Sequence, residues 1–377
     1  MTSKGSVLVG MSGGVDSSVA AALLQRQGYD VVGITMQIWH RSQTFEDPGA
    51  MQGCCTIDAV DDARRVAARL GIPYYVPNFR DEFAHSVVDD FAAEYLEGRT
   101  PNPCVRCNQF VRFDGLLRRA DELGIDYVAT GHYARVELDP ESGEHVLKKA
   151  IDPAKDQSYM LHTLRQHHLK RIKFPLGGNT KLETRQLARD FELPVAEKPD
   201  SQEICFVAGK NYKAFLREYV GAVPRPGEIV DAGGSVLGTH NGIHEFTIGQ
   251  RKGLGIAAAQ PLYVIALNPK DNLVVVGERE EAMASGLTCS RLSFTGSRSA
   301  DEFDSTIKVR YRTPDRPGRV RLLEPDRARV LFDKPIWGVA PGQLAVFYEG
   351  DTVLGGGTID ESLVGTPTAA STPASNC

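Results

Sequence analysis

Val7-Leu8-Val9-Gly10-Met11-Ser12-Gly13-Gly14-Val15-Asp16-Ser17-Ser18 decides the fold: an apolar run suited to a buried strand stops at a glycine-rich turn, and a helical pattern begins at once. The helix reads through Ser17 to Gln27, is closed by Gly28, and gives way to a second apolar run from Val31 to Met36. Outward from this unit the alternation recurs. A helix from about Ile57 to Leu70 ends at Gly71, and the run Tyr74 to Val76 follows. Helices near Phe83 to Glu97 and near Phe113 to Leu123, the latter closed by Gly124, precede the run Tyr127 to Thr130. Such alternation predicts an α/β domain with a mostly parallel sheet covered by helices.

After about Glu218 the texture changes to short alternating segments between Gly and Pro, as in GAVPRPGEIVDAGGSVLGTHNG at 221–242. The second half is therefore expected to be mainly β. The division read from these changes is 1–218 for the α/β domain, 219–286 for a small β-rich domain and 287–363 for a barrel-like domain. Residues 364–377, small and polar, are expected to be disordered.

Composition narrows the function classes. Lys plus Arg number 43 against 48 Asp plus Glu, so no global positive field marks a nucleic-acid binder, and any RNA contact must rest on local basic patches. Nothing resembles an apolar span of roughly 20 residues, and the opening MTSKGSVLVGMSGG lacks a signal peptide's features, which predicts a cytoplasmic protein away from membranes. Seven cysteines, an odd number in a long chain, argue against a secreted disulfide framework and for catalytic or metal-bound thiols.

At the loop, glycines let backbone amides approach an anion, and the following helix start adds positive potential, so a phosphate or pyrophosphate is the natural occupant. A tight strand-to-helix turn capped by Asp16 or Ser17 is the plainer alternative. The loop lacks the lysine of GxxxxGK[ST] and the third glycine of GxGxxG. Ser12 to Ser18 as a whole resembles the pyrophosphate loop of the ATP pyrophosphatases, which adenylate a carbonyl oxygen and release pyrophosphate. That resemblance implies ATP at Gly10, Met11, Ser12, Gly13, Gly14, Val15, Asp16, Ser17 and Ser18, with Asp16 holding Mg²⁺. Met36 and Gly131, at the ends of neighbouring strands, are expected to line the nucleotide, although plain core packing also accounts for Met36.

Cys104 and Cys107 form a CxxC inside a proline-stiffened loop entering a helix, where the helix start and Arg106 are expected to lower a thiol pKa. A third cysteine, Cys205, sits far along the chain. By itself CxxC leaves zinc, redox and metal-cluster readings open, the zinc reading weakened by the lack of a second pair at the usual spacing. Cys54 and Cys55 read as small buried residues, and Cys289 and Cys377 have no evident sequence partner.

Six segments together are far more specific: GMSGGVDSS (10–18), GRTPNPCVRCN (98–108), ATGHYAR (129–135), KDQSYML (155–161), KPDSQEICF (198–206) and FTIGQRKGLG (246–255). Their order and spacing resemble the bacterial tRNA 2-thiouridylases, from Val7 to about Leu363. The resemblance implies an adenine-nucleotide-hydrolase-like (PP-loop) domain, a small β-rich domain and a C-terminal β-barrel, acting as a monomer. It implies a tRNA with a wobble uridine as substrate, ATP and Mg²⁺, and a persulfide sulfur donor or sulfur-relay protein as partner. Cys107 would be nucleophile or resolving thiol and Cys205 the persulfide carrier, the two pairing as a disulfide during turnover.

Asn102, Pro103 and Cys104 match the loop around the flipped target base. His132, Lys155, Asp156, Gln157, Arg310, Tyr311 and Gln343 match tRNA-contacting positions. Around Arg310 and Tyr311, Lys308, Arg312, Arg316, Arg319 and Arg321 suggest a basic strand face, and the run Arg165 to Lys173 adds further positive charge. One departure matters: many members carry Asp where this chain has Cys104. The third thiol opens a second route, a [4Fe-4S] cluster on Cys104, Cys107 and Cys205 with one iron left open. Persulfide and cluster readings both stand at this point. The rival readings are another ATP pyrophosphatase, such as argininosuccinate synthetase, which needs neither Cys107 nor Cys205, and an RNA-binding module with a zinc-stabilised CxxC, against which the full pyrophosphate loop argues.

Overall fold

A computed structural model describes residues 3–38, 57–200, 204–207, 212–221, 225–297 and 300–364. Five parallel strands form the first sheet in the order Tyr74–Tyr75, Asp30–Ile34, Ser6–Gly10, Tyr127–Thr130, Ile172–Lys173. Val7, Leu8 and Val9 on the central strand are fully buried, as an uninterrupted apolar run packed on both faces requires. Gly10 pairs with Ile34 on one side and Thr130 on the other, so the carboxyl ends of three strands lie level. The chain moves to one side of Ser6–Gly10 for two strands and then crosses to the other. The edge beside Gly10 is therefore the switch point at which such sheets bind ligands.

The helix after the loop spans Val15–Arg26, beginning two residues before the sequence reading, while Ile57–Leu70 and Tyr127–Thr130 fall where expected. Pro103–Leu123 departs more. It is helical throughout, with a π-helical stretch at Cys107–Phe113, whereas the sequence reading placed a helix near Phe113 to Leu123 and only a loop entering a helix at Cys104 and Cys107. Proline at the first helical position lacks a donor that would be orphaned anyway, so Pro103 opens the helix instead of blocking it.

A four-stranded sheet follows in the order Tyr263–Asn268, Leu273–Gly277, Gly227–Val230, Val236–His240. Six further strands between Met283 and Leu363 close on themselves through pairing of Met283–Phe294 with Thr352–Leu363. The division points read near Glu218 and Gly286 fall inside the helix Tyr212–Val220 and the strand Met283–Phe294. A hairpin, Arg135–Leu138 with His145–Lys148, leaves the α/β half and extends the barrel sheet beyond Thr352–Leu363. Through it Tyr159 and Leu161 share one buried cluster with Leu344, Val346 and Tyr348 of the barrel. Cys54, Cys55, Cys377 and the tail from 365 lie outside the described residues.

Candidate active-site cleft

A cleft of about 1600 Å³ opens at the carboxyl edge of the parallel sheet and is walled by both the α/β half and the barrel. The helix Val15–Arg26 has Gly14 at its N-cap and no side-chain cap, so its first-turn amides are left for an anion. The turn is stiffened from within. Ser12 N–H donates to Ser17 Oγ at 3.0 Å, and Ser18 Oγ donates to the Gly14 carbonyl at 2.8 Å. Gly13 has φ 67°, and a Cβ there would sit 2.1 Å from the Ala59 carbonyl oxygen, so this position must be glycine.

Gly10, Met11, Ser12, Gly14, Val15, Asp16, Ser17, Met36 and Gly131 line the cleft, while Gly13 and Ser18 sit behind it as packing. Met36 serves both readings, since it also packs against two buried clusters. Gly131 passes so close to the helix start that a Cβ would lie 2.5 Å from the Ser17 nitrogen. Its smallness is thus set by the helix as well as by the cleft.

Asp16 Oδ1 accepts from the Tyr133 hydroxyl at 2.9 Å and from Lys181 Nζ at 2.6 Å. Burial, then the Asp16 charge, pushes the Tyr133 phenol upward, which keeps it a donor. Lys198 Nζ reaches the Gly13 carbonyl at 3.0 Å and Asp62 at 2.5 Å. Burial works against ionisation of Asp62, but bonds from Lys198 and Arg65 outweigh it and hold the carboxyl below its ordinary range. These two lysines bring to the loop the positive charge a Walker lysine supplies elsewhere. Lys181 was missed in the sequence because it lies in the polar run KLETRQLARD. The Thr180–Glu183 capping box marks it only as the helix's first residue.

One carboxylate beside a phosphate cradle suits Mg²⁺, whose remaining positions are filled by phosphate oxygens and water. Asp16 fits that description. The cluster reading does not fit. Cys104 is exposed, Cys107 buried and Cys205 intermediate, and all three line the cleft. Among the described residues, however, no three His, Cys, Asp or Glu side chains converge tightly enough to hold a metal. The Arg106 expectation is corrected as well. Its guanidinium forks onto Asp90 at 2.9 and 3.2 Å and faces a second cavity of about 420 Å³. Asn102 faces that cavity too, leaving Pro103 and Cys104 on the cleft.

Of the expected tRNA contacts, His132, Lys155, Asp156, Gln157 and Tyr311 line the cleft. His132 Nε2 lies 3.2 Å from Arg112 and Nδ1 2.7 Å from Thr130 Oγ1. An arginine can only donate, so Nε2 accepts and the proton sits on Nδ1. Burial, then the Arg112 charge, holds the ring neutral, well below its usual pKa. Asp156 is turned inward, accepting from the amides of Ala150 and Ser158, and Gln157 accepts from the Tyr133 amide. Lys155 instead pairs with Asp200 at 2.8 Å.

Arg310 and Tyr311 lie in a turn after Glu302–Lys308, not on the strand face expected from alternation. Arg310 donates to the carbonyls of Gly338 and Ile248, tying the barrel to the central domain. Gln343 similarly donates to the Thr100 carbonyl at 2.8 Å, holding the loop that leads to Cys104. Arg319 pairs with Asp304 on the exposed barrel face. Within the run Arg165 to Lys173, His168 meets Asp114 and Arg171 meets Asp121.

Three family descriptions tile the chain: "tRNA methyl transferase HUP domain" over residues 5–209, "tRNA methyl transferase PRC-barrel domain" over 213–278 and "Aminomethyltransferase beta-barrel domain" over 284–359. The tRNA-specific 2-thiouridylase MnmA of Carboxydothermus hydrogenoformans is 51% identical over 359 residues, 95% of this chain and 98% of its own. That of Geobacter metallireducens is 51% identical over 358 residues, 95% of this chain and 97% of its own. A solved 4-thiouridine synthetase–RNA complex with bound ATP aligns at TM-score 0.36 and 17% identity, over 58% of this chain and 50% of that one. With half of all positions shared along nearly the full length of these relatives, the chain belongs to the tRNA-specific 2-thiouridylase family.

Proposed function

We propose that this protein is a tRNA-uridine 2-sulfurtransferase that uses ATP to adenylate the 2-keto oxygen of a wobble uridine and replaces that oxygen with sulfur. The observation that carries the reading is one cleft lined by an uncapped glycine-rich helix start and by Cys107 and Cys205. An amide-like carbonyl is a poor electrophile until its oxygen can leave, which is the task adenylation performs. The domain descriptions name methyl transfer and the full-length relatives name thiolation; two thiols facing the cleft favour thiolation.

Ser12, Gly14 and Ser17 hold the leaving pyrophosphate, Lys198 and Lys181 balance its charge, and Asp16 holds Mg²⁺, which neutralises the phosphates when bound. Cys205 carries the sulfur as a persulfide delivered by a donor protein. Its terminal sulfur bonds to C2 of the base as the C2–O bond breaks and AMP departs. Cys107 thiolate then attacks Cys205 Sγ, which releases the sulfur to the base and leaves a Cys107–Cys205 disulfide for an external thiol to reduce. Cys104 and Pro103 flank the target base, Lys155 and Tyr311 meet the RNA at the cleft, and Arg310 and Gln343 hold the surfaces on which it rests.

The test is to assay Cys107→Ser and Cys205→Ser for pyrophosphate release, which reports adenylation, and for thiolation. Both variants should release pyrophosphate in the presence of tRNA and yield no thiouridine. Thiolation by either one removes that cysteine from the scheme.

A further inference from the structure

Beside the phosphate loop lies a set of charges whose pairing with one another the scheme above does not use. Lys181 Nζ stands between two carboxylates, 2.6 Å from Asp16 Oδ1 and 2.8 Å from Asp200 Oδ1. Asp200 also receives Arg185 on Oδ1 at 3.1 Å and Lys155 on Oδ2 at 2.8 Å. Arg185 in turn donates to the carbonyls of Ala196 and Lys198, fixing the segment that brings Lys198 to Gly13. Three cations thus serve two carboxylates, and Lys181 is the member they share. Its side chain is only 12% exposed, so water screens the arrangement weakly.

The asymmetry of the network has a consequence. Lys155 is its outer member, at 36% exposure, and lies on the cleft where the RNA is placed. When a phosphate of the RNA draws Lys155 away, Asp200 loses one of its three cations and its hold on Lys181 strengthens. Lys181 then shifts from Asp16 Oδ1 toward Asp200, and Asp16 gains an oxygen for the metal–nucleotide. Asp200 is suited to the exchange, since bonds from Lys155 and Lys181 outweigh the effect of its burial and keep it ionised below the usual range.

We propose that Lys181 and Asp200 are positioning residues that hold Asp16 and report RNA arrival at Lys155 to it, so that RNA and metal–nucleotide each favour the other's binding. The inference rests on the functional reading above. Coupling of this kind is reciprocal, and a factor of about 5 to 100 is the range such linkages span.

The experiment titrates Mg²⁺ with a non-hydrolysable ATP analogue into the protein by calorimetry, with and without a tRNA anticodon stem-loop. It is repeated in reverse order, so the readout is affinity and not turnover. Wild type should bind the analogue at least about fivefold more tightly with RNA, and RNA more tightly by the same factor with the analogue. Asp200→Asn, similar in shape and checked by its melting temperature, should bring both factors to within twofold of unity. Lys181→Met should bind the analogue equally with and without RNA, and Lys181→Arg should restore part of the coupling. If RNA binds wild type but the coupling is absent, or survives whole in Asp200→Asn, this inference falls while the functional reading stands. If wild type binds no RNA, both fall.

Discussion

Gly131→Ala probes the join between sheet and phosphate loop. The added methyl would stand 2.5 Å from the Ser17 nitrogen and 2.7 Å from the Asp16 carbonyl carbon, both backbone atoms with no rotamer to give. That is about 1 Å short of van der Waals contact, so the helix start must withdraw from the cleft by roughly that distance. Charge-assisted hydrogen bonds are worth about 1.5–3 kcal/mol and decline steeply with misalignment. Losing one or two from the loop to the phosphates costs about 2–4 kcal/mol, a rise in Kd of about 30- to 1000-fold. Calorimetry with a non-hydrolysable ATP analogue reads this directly. Gly178→Ala, where nothing lies within 4 Å of the added carbon, is the control. A folded Gly131→Ala protein that binds the analogue within about threefold of wild type refutes the account of how the loop is held.

Asp16→Ala should abolish tRNA-dependent AMP formation while moving the melting temperature little, because Asp16 is part-exposed on the cleft and not in the apolar core. Normal AMP output from the folded variant excludes it as the metal ligand. Cys104→Ser should retain appreciable aerobic thiolation with a persulfide donor, whereas loss of activity paired with iron dependence in the parent would revive a cluster. Arg310→Ala should lower the melting temperature, since its guanidinium ties two domains, while Tyr311→Phe, which keeps the ring packed against the buried cluster, should leave it nearly unchanged and weaken tRNA binding. Equal effects of the two changes on stability contradict that separation. His162 supplies a pH test, its burial holding the ring at a pKa of about 4 against 6.5 in an open chain. Unfolding then takes up a proton as pH falls below 6.5. Stability should therefore drop by about 2 kcal/mol between pH 6.5 and 5, and His162→Asn should flatten that slope.

Much of this arrangement was legible in the sequence because it is carried by local pattern. The run Val7 to Val9, the glycine turn and the helix behind it define strand, cradle and switch point without reference to the rest of the chain. Helix Ile57–Leu70 was equally plain, with glycine just beyond its end. What escaped depended on contacts between distant residues. Nothing in RVEL or HVLK announces that Arg135–Leu138 and His145–Lys148 will extend a barrel formed some 140 residues later. Arg106 reads as a neighbour of two thiols, yet on a helix it projects away from Cys107 and finds Asp90. Arg310 looked exposed in a basic run but is held by two backbone carbonyls, a role that charge patterning cannot reveal. Lys181, the cation nearest Asp16, carried no motif at all.

The most direct test of the central claim is to incubate the purified protein with unmodified tRNA, ATP, Mg²⁺ and a persulfide donor, then digest the tRNA and identify its nucleosides by mass spectrometry. The account predicts 2-thiouridine at the wobble position, with one AMP and one pyrophosphate released for each sulfur inserted. AMP formation with no sulfur in the RNA, or a methylated uridine in its place, would contradict it.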